Sequence, residues 1–218
     1  MDRAAIRVWD LPTRVFHWCL AVSVIGAFIS VKIGGNAMIW HARFGYCALA
    51  LILFRVIWGF IGPVHARFAN FVKGPRKILA LLRGGPWNGV GHNPLGALSV
   101  LALIIVFGVQ AGLGLFTTDE IAFDGPLVKR VGSDWVAFAT RWHNRSEWLL
   151  ISLVILHIGA IVVHRVVRRH DLVRPMITGD VHVATSVTVE SARDDLMVRV
   201  KAIVVMTLTA SLVAYLSL

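Results

Sequence analysis

The stretch "RWHNRSEWLLISLVILHIGAIVVHRVV", residues 141–167, is apolar enough to sit in lipid, yet it carries His143 at its mouth and His157 near its middle. Lipid offers no water to imidazole nitrogens, so each ring must hydrogen-bond inside the protein, titrate or hold a metal. Its helical period decides where the two rings point. They are fourteen residues apart, which at 100° per residue puts them within about 40° of one face and about 21 Å apart along the axis. A single helix thus presents two imidazoles to one side at two depths.

The rest of the chain supports a membrane setting. Of its 218 residues 57% are hydrophobic and 16% charged, far from an ordinary soluble composition. Roughly 20 apolar residues cross about 30 Å of hydrocarbon, and five runs qualify, near 13–33, 39–61, 95–116, 145–167 and 198–217. Trp9, Asp10 and Pro12 precede the first run, and no small-residue cleavage site closes it. That run is therefore read as a retained span and not a signal peptide.

Arg67, Lys73, Arg76, Lys77 and Arg83 fill the connection between spans two and three, and Arg165, Arg168, Arg169 and Arg174 follow span four. The connection before span four mixes Asp119, Glu120, Asp124 and Asp134 with Lys129, Arg130, Arg141 and Arg145. The positive-inside rule makes the first two connections cytoplasmic and the third external, with the amino terminus in the cytoplasm and the carboxyl terminus outside. Topology and anionic lipid headgroups account for the net charge of +10, and nucleic-acid binding is set aside. Cys19 and Cys47 read as small core residues; there is no CxxCH or paired CxxC.

Span one ends at a tight turn, Gly34–Asn36, so spans one and two form a hairpin. "GPRKILALLRGG" (74–85) suits a short interfacial helix or an ordinary basic loop. "VHVATSVTVE" (181–190) alternates as a strand does but shows no partner, and is read as part of a linker.

Depth sorts the histidines. His17 lies about 25 Å below the outer turn in span one, and His41 about 7 Å below it in span two. Their separation, about 18 Å, nearly equals that of His143 and His157. Topology then sets His41 beside His143 near the outside and His17 beside His157 toward the inside. Zinc would need three or four protein ligands, and neither depth supplies a third. Haem needs two axial nitrogens and suits an apolar bundle core, so two b-type haems fit best. The other readings are rings hydrogen-bonded within the bundle, or a proton or ion pathway, which would recruit carboxylates that the spans are expected to lack.

"VWDLPTRVFHWCL" (8–20), "WHARFGYCALALILFRVIWGFIGP" (40–63), "GHNPLGAL" (91–98), "RWHNRSEWLLISLVILH" (141–157) and "DLVRPMITG" (171–179) together resemble the bacterial cytochrome b561 family, in particular the cytochrome b subunits of nickel-iron hydrogenases. The resemblance implies His17, His41, His143 and His157 as axial ligands. It also implies electron transfer across the inner membrane between a quinone and a redox partner outside, such as a cytochrome c or a hydrogenase-like protein. Part of the family resembles a superoxide-oxidising, quinone-reducing enzyme, which is the alternative; an electron-transfer subunit is favoured over a stand-alone oxidoreductase. Hydrogenase subunits of this kind generally end after four spans and a tail, whereas this chain adds "MVRVKAIVVMTLTASLVAYLSL" (197–218).

The expected fold is an all-α membrane protein: a four-helix transmembrane bundle holding two haems over 1–179, a polar cytoplasmic linker over 180–197, and a fifth C-terminal transmembrane helix over 198–218. Arg43, Arg141 and Arg145 outside, and Arg14 and Arg55 inside, are the candidate partners of haem propionates, or else interface anchors. His65, His164, His170 and His182 are read as non-ligands. His92 is read as the cap of span three, or as a contact to bound quinone.

Overall fold

The computed structural model describes residues 3–85, 89–184 and 189–218. Five helices in it are long and apolar enough to cross a membrane; the protein is a multi-pass membrane protein. In chain order the elements are β1 (Arg3–Arg7), α1 (Leu11–Ile33), α2 (Met38–Ile61), α3 (Phe68–Phe71), α4 (Pro75–Leu82), α5 (Pro94–Gly114), α6 (Ser133–Val166), α7 (Val173–Thr178), β2 (Asp180–Ala184) and α8 (Leu196–Leu216).

The helix starts follow capping chemistry. Asp10, Asn93 and Asp195 each accept a backbone N–H three residues on, at the heads of α1, α5 and α8, and Pro12 and Pro94 sit where a missing N–H costs nothing. The α1–α2 hairpin turns at Gly34 and Gly35, whose φ of +69° and +53° belong to the left-handed region, open to glycine without strain. Asn93 takes the capping role proposed for His92, because its short side chain reaches the Gly96 N–H at 2.7 Å.

Lipid is as apolar as a leucine side chain, so close packing, more than hydrophobic transfer, joins the spans. α1 lies on α2, α2 on α5 and α5 on α6. The approach of α1 to α2 is tight: a Cβ on Gly26 would stand 2.6 Å from the Phe44 ring. Phe54 and Trp58, each 1% exposed, stack at 5.5 Å and head a core with Phe16, Leu51, Ile52, Ile104 and Phe107.

The fifth span is part of that core. α8 runs along α2, placing Ala202 and Val205 in the same cluster and Val213 in a second one with Leu49, Leu115 and Leu127. Cys19 and Cys47 are exposed on the outer faces of their helices, and the reading of both as core residues does not hold. Ala48, next to Cys47, takes an inward position instead.

Two segments differ from the sequence reading. α6 has 34 residues, about 51 Å at 1.5 Å each, and so extends well past a 30 Å hydrocarbon core. The polar stretch before residue 145 continues the helix, and His143 lies some three turns inside it. The alternation at 181–184 does have a partner: β2 pairs antiparallel with β1, in the register Arg7↔Asp180 to Arg3↔Ala184, while 185–188 lie outside the described residues. A two-stranded ribbon is marginal alone, and ionic contacts reinforce this one. Arg7 donates to Asp180 and to Asp194 at 2.6 Å, and Asp194 also meets Arg199 at 3.3 Å and Arg14 at 3.8 Å. This clasp ties the first residues to the foot of α8 and defines a sheet end of the bundle. The segment "GPRKILALLRGG" forms the short helix α4.

Candidate haem-binding histidine pairs

The bundle brings the four intramembrane histidines together in pairs. His41 from α2 faces His143 from α6 with ring centroids 6.1 Å apart and planes at 90°. His17 from α1 faces His157 from α6 at 6.4 Å with planes at 49°. Two imidazole nitrogens each about 2 Å from a shared metal, and each about 1 Å from its own ring centre, would separate the centroids by about 6 Å. Both spacings match that geometry, and the donor chemistry fits an iron with two axial nitrogens. Among the described residues no cluster of three or more His, Cys, Asp or Glu could hold a metal ion.

The pair distant from the sheet is braced by backbone. His41 Nδ1 lies 2.9 Å from the Ala27 carbonyl, and His143 Nδ1 lies 2.9 Å from the Gln110 carbonyl. A carbonyl only accepts, so each Nδ1 carries the proton and each Nε2 keeps its lone pair for a metal, the outer-shell device that fixes a ligating histidine. Gln110 Nε2 also donates to the His143 carbonyl at 2.9 Å, and Ser146 Oγ donates to Gln110 Oε1. A Cβ on Gly114 would stand 3.1 Å from His143 Cε1, so the glycine gives the ring its place against α5. None of these supports was singled out from sequence, although Gln110 is the one amide in an otherwise apolar span and lies at the depth of His143.

The pair near the sheet is set differently. Among the described residues His17 Nδ1 is buried with no hydrogen-bond partner, and so are Arg14 Nε, Arg55 Nη1 and His92 Nδ1. Buried donors are almost always satisfied, so four orphans at one end of a bundle mark a place where acceptors belong. Arg55 is 2% exposed and packs over the Phe68 and Phe71 rings at 5.1 and 5.8 Å. Arg14 donates to the Ile177 carbonyl at 2.5 Å. Asp10, fully buried, accepts from Thr13 N, Thr13 Oγ1 and Trp58 Nε1, and its burial raises its pKa above the usual carboxylate value.

The remaining candidates are the three arginines of the other end. Arg43, Arg141 and Arg145 are exposed. The Arg43 guanidinium sits 5.0 Å over the Trp40 ring, and Arg141 lines a cavity with Thr118 and Thr140. One carboxylate does stand within the fourth span, contrary to expectation: Glu147, paired with Lys32 at 2.7 Å. That ion pair balances its charge.

Residues 8–179 match the family described as "Prokaryotic cytochrome b561". The chain belongs to that family. Membership makes it a b-type haem cytochrome of membrane electron transport. It is similar to proteins named "Probable Ni/Fe-hydrogenase B-type cytochrome subunit" from Bradyrhizobium diazoefficiens (26% identical, covering 83% of this chain and 87% of the relative) and Azotobacter vinelandii (26%, 81% and 88%). The counterpart from Rhodobacter capsulatus is 26% identical and covered to 81% on both sides. No solved structure matches the chain.

Proposed function

We propose that this chain is a dihaem cytochrome that carries electrons across the bacterial inner membrane between the quinone pool and a redox protein on the outer face. The observation that carries the reading is the pair of facing imidazole couples at two depths of one bundle, 6.1 and 6.4 Å between centroids. His17 and His157 would hold the inner haem b, and His41 and His143 the outer one. Held by those histidine pairs, haem b would supply one-electron exchange.

The protein's own groups do the positioning. The Ala27 and Gln110 carbonyls hold His41 and His143 in one tautomer. The unpaired donors of Arg14 and Arg55 suit the carboxylates that a haem edge carries. By the positive-inside rule, Arg67, Lys73, Arg76, Lys77 and Arg83 near the sheet end support a cytoplasmic position for that end, with the amino terminus inside and the carboxyl terminus in the periplasm. The relatives' names favour a hydrogenase as the outer partner over a cytochrome c. Exposed Arg141 and Arg145 offer that partner a cationic surface.

The test is electron passage through a sealed membrane. Haem-loaded protein in vesicles with trapped ferricyanide, given an impermeant reductant outside, is expected to bleach the ferricyanide, with at least a tenfold loss in His157→Ala. Bleaching no faster than in protein-free vesicles overturns the proposal.

A further inference from the structure

The segment between β2 and α8 delivers a carboxylate to the sheet end of the bundle. Asp194, with its side chain 7% exposed, faces three guanidiniums: Oδ2 accepts from Arg7 at 2.6 Å and lies 3.8 Å from Arg14 Nη2, while Oδ1 lies 3.3 Å from Arg199 Nε. Backbone contacts on either side fix its place. Ala192 N donates to the Arg7 carbonyl at 2.7 Å, and Asp195, the next residue, caps α8 by accepting from Val198 N at 3.0 Å. Arg7 is further engaged by both oxygens of Asp180, at 2.6 and 3.2 Å, and Arg199 is half exposed, where water screens its charge.

Arg14 is different. Its side chain is 14% exposed, and Nη1 donates to the Ile177 carbonyl at 2.5 Å. Asp194 holds Nη2 at ion-pair distance, too long for a hydrogen bond, and Nε is buried without a partner among the described residues. Arg14 stands three residues ahead of His17 on α1, the spacing of helix neighbours, and His17 Nδ1 is equally unpartnered. Three guanidiniums against the carboxylates of Asp180 and Asp194 leave this cluster one positive charge in excess. A guanidinium is a rigid planar fork, so fixing both terminal nitrogens also fixes where Nε points.

We propose that Asp194 is a positioning residue for the sheet-end redox site: it orients Arg14 toward the His17–His157 pair, so that the segment leading into the fifth span sets the electron affinity there. The inference rests on the reading of that pair as a haem site. It adds a residue beyond position 179, where the family match ends. A guanidinium held beside a redox centre favours the added electron, and one released toward water is screened. The negative charge of Asp194 acts in the opposite sense. The direction of a shift therefore separates positioning of Arg14 from the direct field of the carboxylate.

The experiment is a potentiometric titration of the haem-loaded full chain in lipid nanodiscs, with the sheet-end wave identified as the one that His157→Ala removes. Asp194→Asn should lower that wave's midpoint, by about threefold in the reduction equilibrium, and leave the other wave in place. Asp194→Glu should restore most of the loss, and in an Arg14→Gln background Asp194→Asn should lower the wave no further. Asp180→Asn, which breaks the other ion pair of Arg7 without touching Arg14, should not move it. A rise, no shift, a fall that persists without Arg14, or an equal fall in Asp180→Asn overturns the inference. If Asp194→Asn does not fold, linkage supplies a second reading, because a site steadied by the clasp must steady the clasp in return. The Ala192 amide should then be less protected from exchange in His157→Ala than in His143→Ala, and equal protection overturns the inference. Failure of the vesicle assay with this coupling intact would overturn transmembrane transfer alone, whereas a chain that holds no haem at His17 and His157 overturns both readings.

Discussion

The two histidine pairs share ring spacing and one supporting helix, yet they are held in opposite ways. At the end distant from the sheet, His41 and His143 are each tied through Nδ1 to a carbonyl of a neighbouring helix, so helix packing alone orients them. At the sheet end, His17 Nδ1 has no partner among the described residues and stands with nitrogens of Arg14, Arg55 and His92 in the same condition. One site is complete in protein atoms; the other has donors in excess of acceptors. The difference teaches that helix backbones can pre-set a histidine pair only where a second helix turns a carbonyl toward it, and that the opposite pair would draw its satisfaction from a bound group.

The largest expected effect comes from breaking either pair. His143→Ala should empty the outer site and His157→Ala the inner one, each halving the haem content measured as pyridine haemochrome while the helical circular dichroism persists. Loss of both haems from a folded single variant would remove the distinction between the sites. Next, Gly114→Ala crowds the His143 ring, at 3.1 Å from Cε1. It should weaken the outer haem alone, by about the 10–100-fold that loss of outer-shell support costs, read by haem retention on dilution. Equal loss from both sites would contradict it.

A smaller change is expected for Arg55→Gln. Removing a buried cation disfavours an added electron nearby, so the lower-lying site's midpoint potential should fall while the other stays put. A one-electron shift of about 59 mV is a tenfold change in equilibrium, and a redox titration with two resolved waves measures it. A fall in both waves would show that Arg55 is not local to one pair. The smallest effect is at the foot of α8. Asp195 has its pKa lowered by the Val198 N–H first and Arg193 next. Its stabilising contribution is therefore present above the ordinary carboxylate pKa and is lost as pH falls through the lower, folded value. Amide protection factors in the first turn of α8 should fall over that acid window, and Asp195→Ala should lower them above the window but not below it; an unchanged profile would contradict the cap.

Much of this was legible in the sequence, and the reasons differ by element. The spans show because lipid demands long apolar runs, and the depth match of the histidines shows because helix rise is constant. The outer reach of α6 was hidden, since helices outside lipid need no apolar run, and the β1–β2 pairing was hidden because Arg3–Arg7 is too short and too close to the terminus to read as a strand. Backbone supports were illegible in principle: the Ala27 and Gln110 carbonyls exist in every residue, and only the helix crossing selects them. Arg43, Arg141 and Arg145 could not be told from Arg14 and Arg55 by sequence, because nearness in number to a histidine does not say which face of a helix a side chain takes.

The most direct test counts haem per chain in the purified full-length protein and follows it by low-spin ferric electron paramagnetic resonance. Two haems with two distinct bis-imidazole signals are predicted, one lost with His41 or His143 and the other with His17 or His157. A single haem per chain, or a high-spin iron with an open axial position, would contradict paired ligation at two depths.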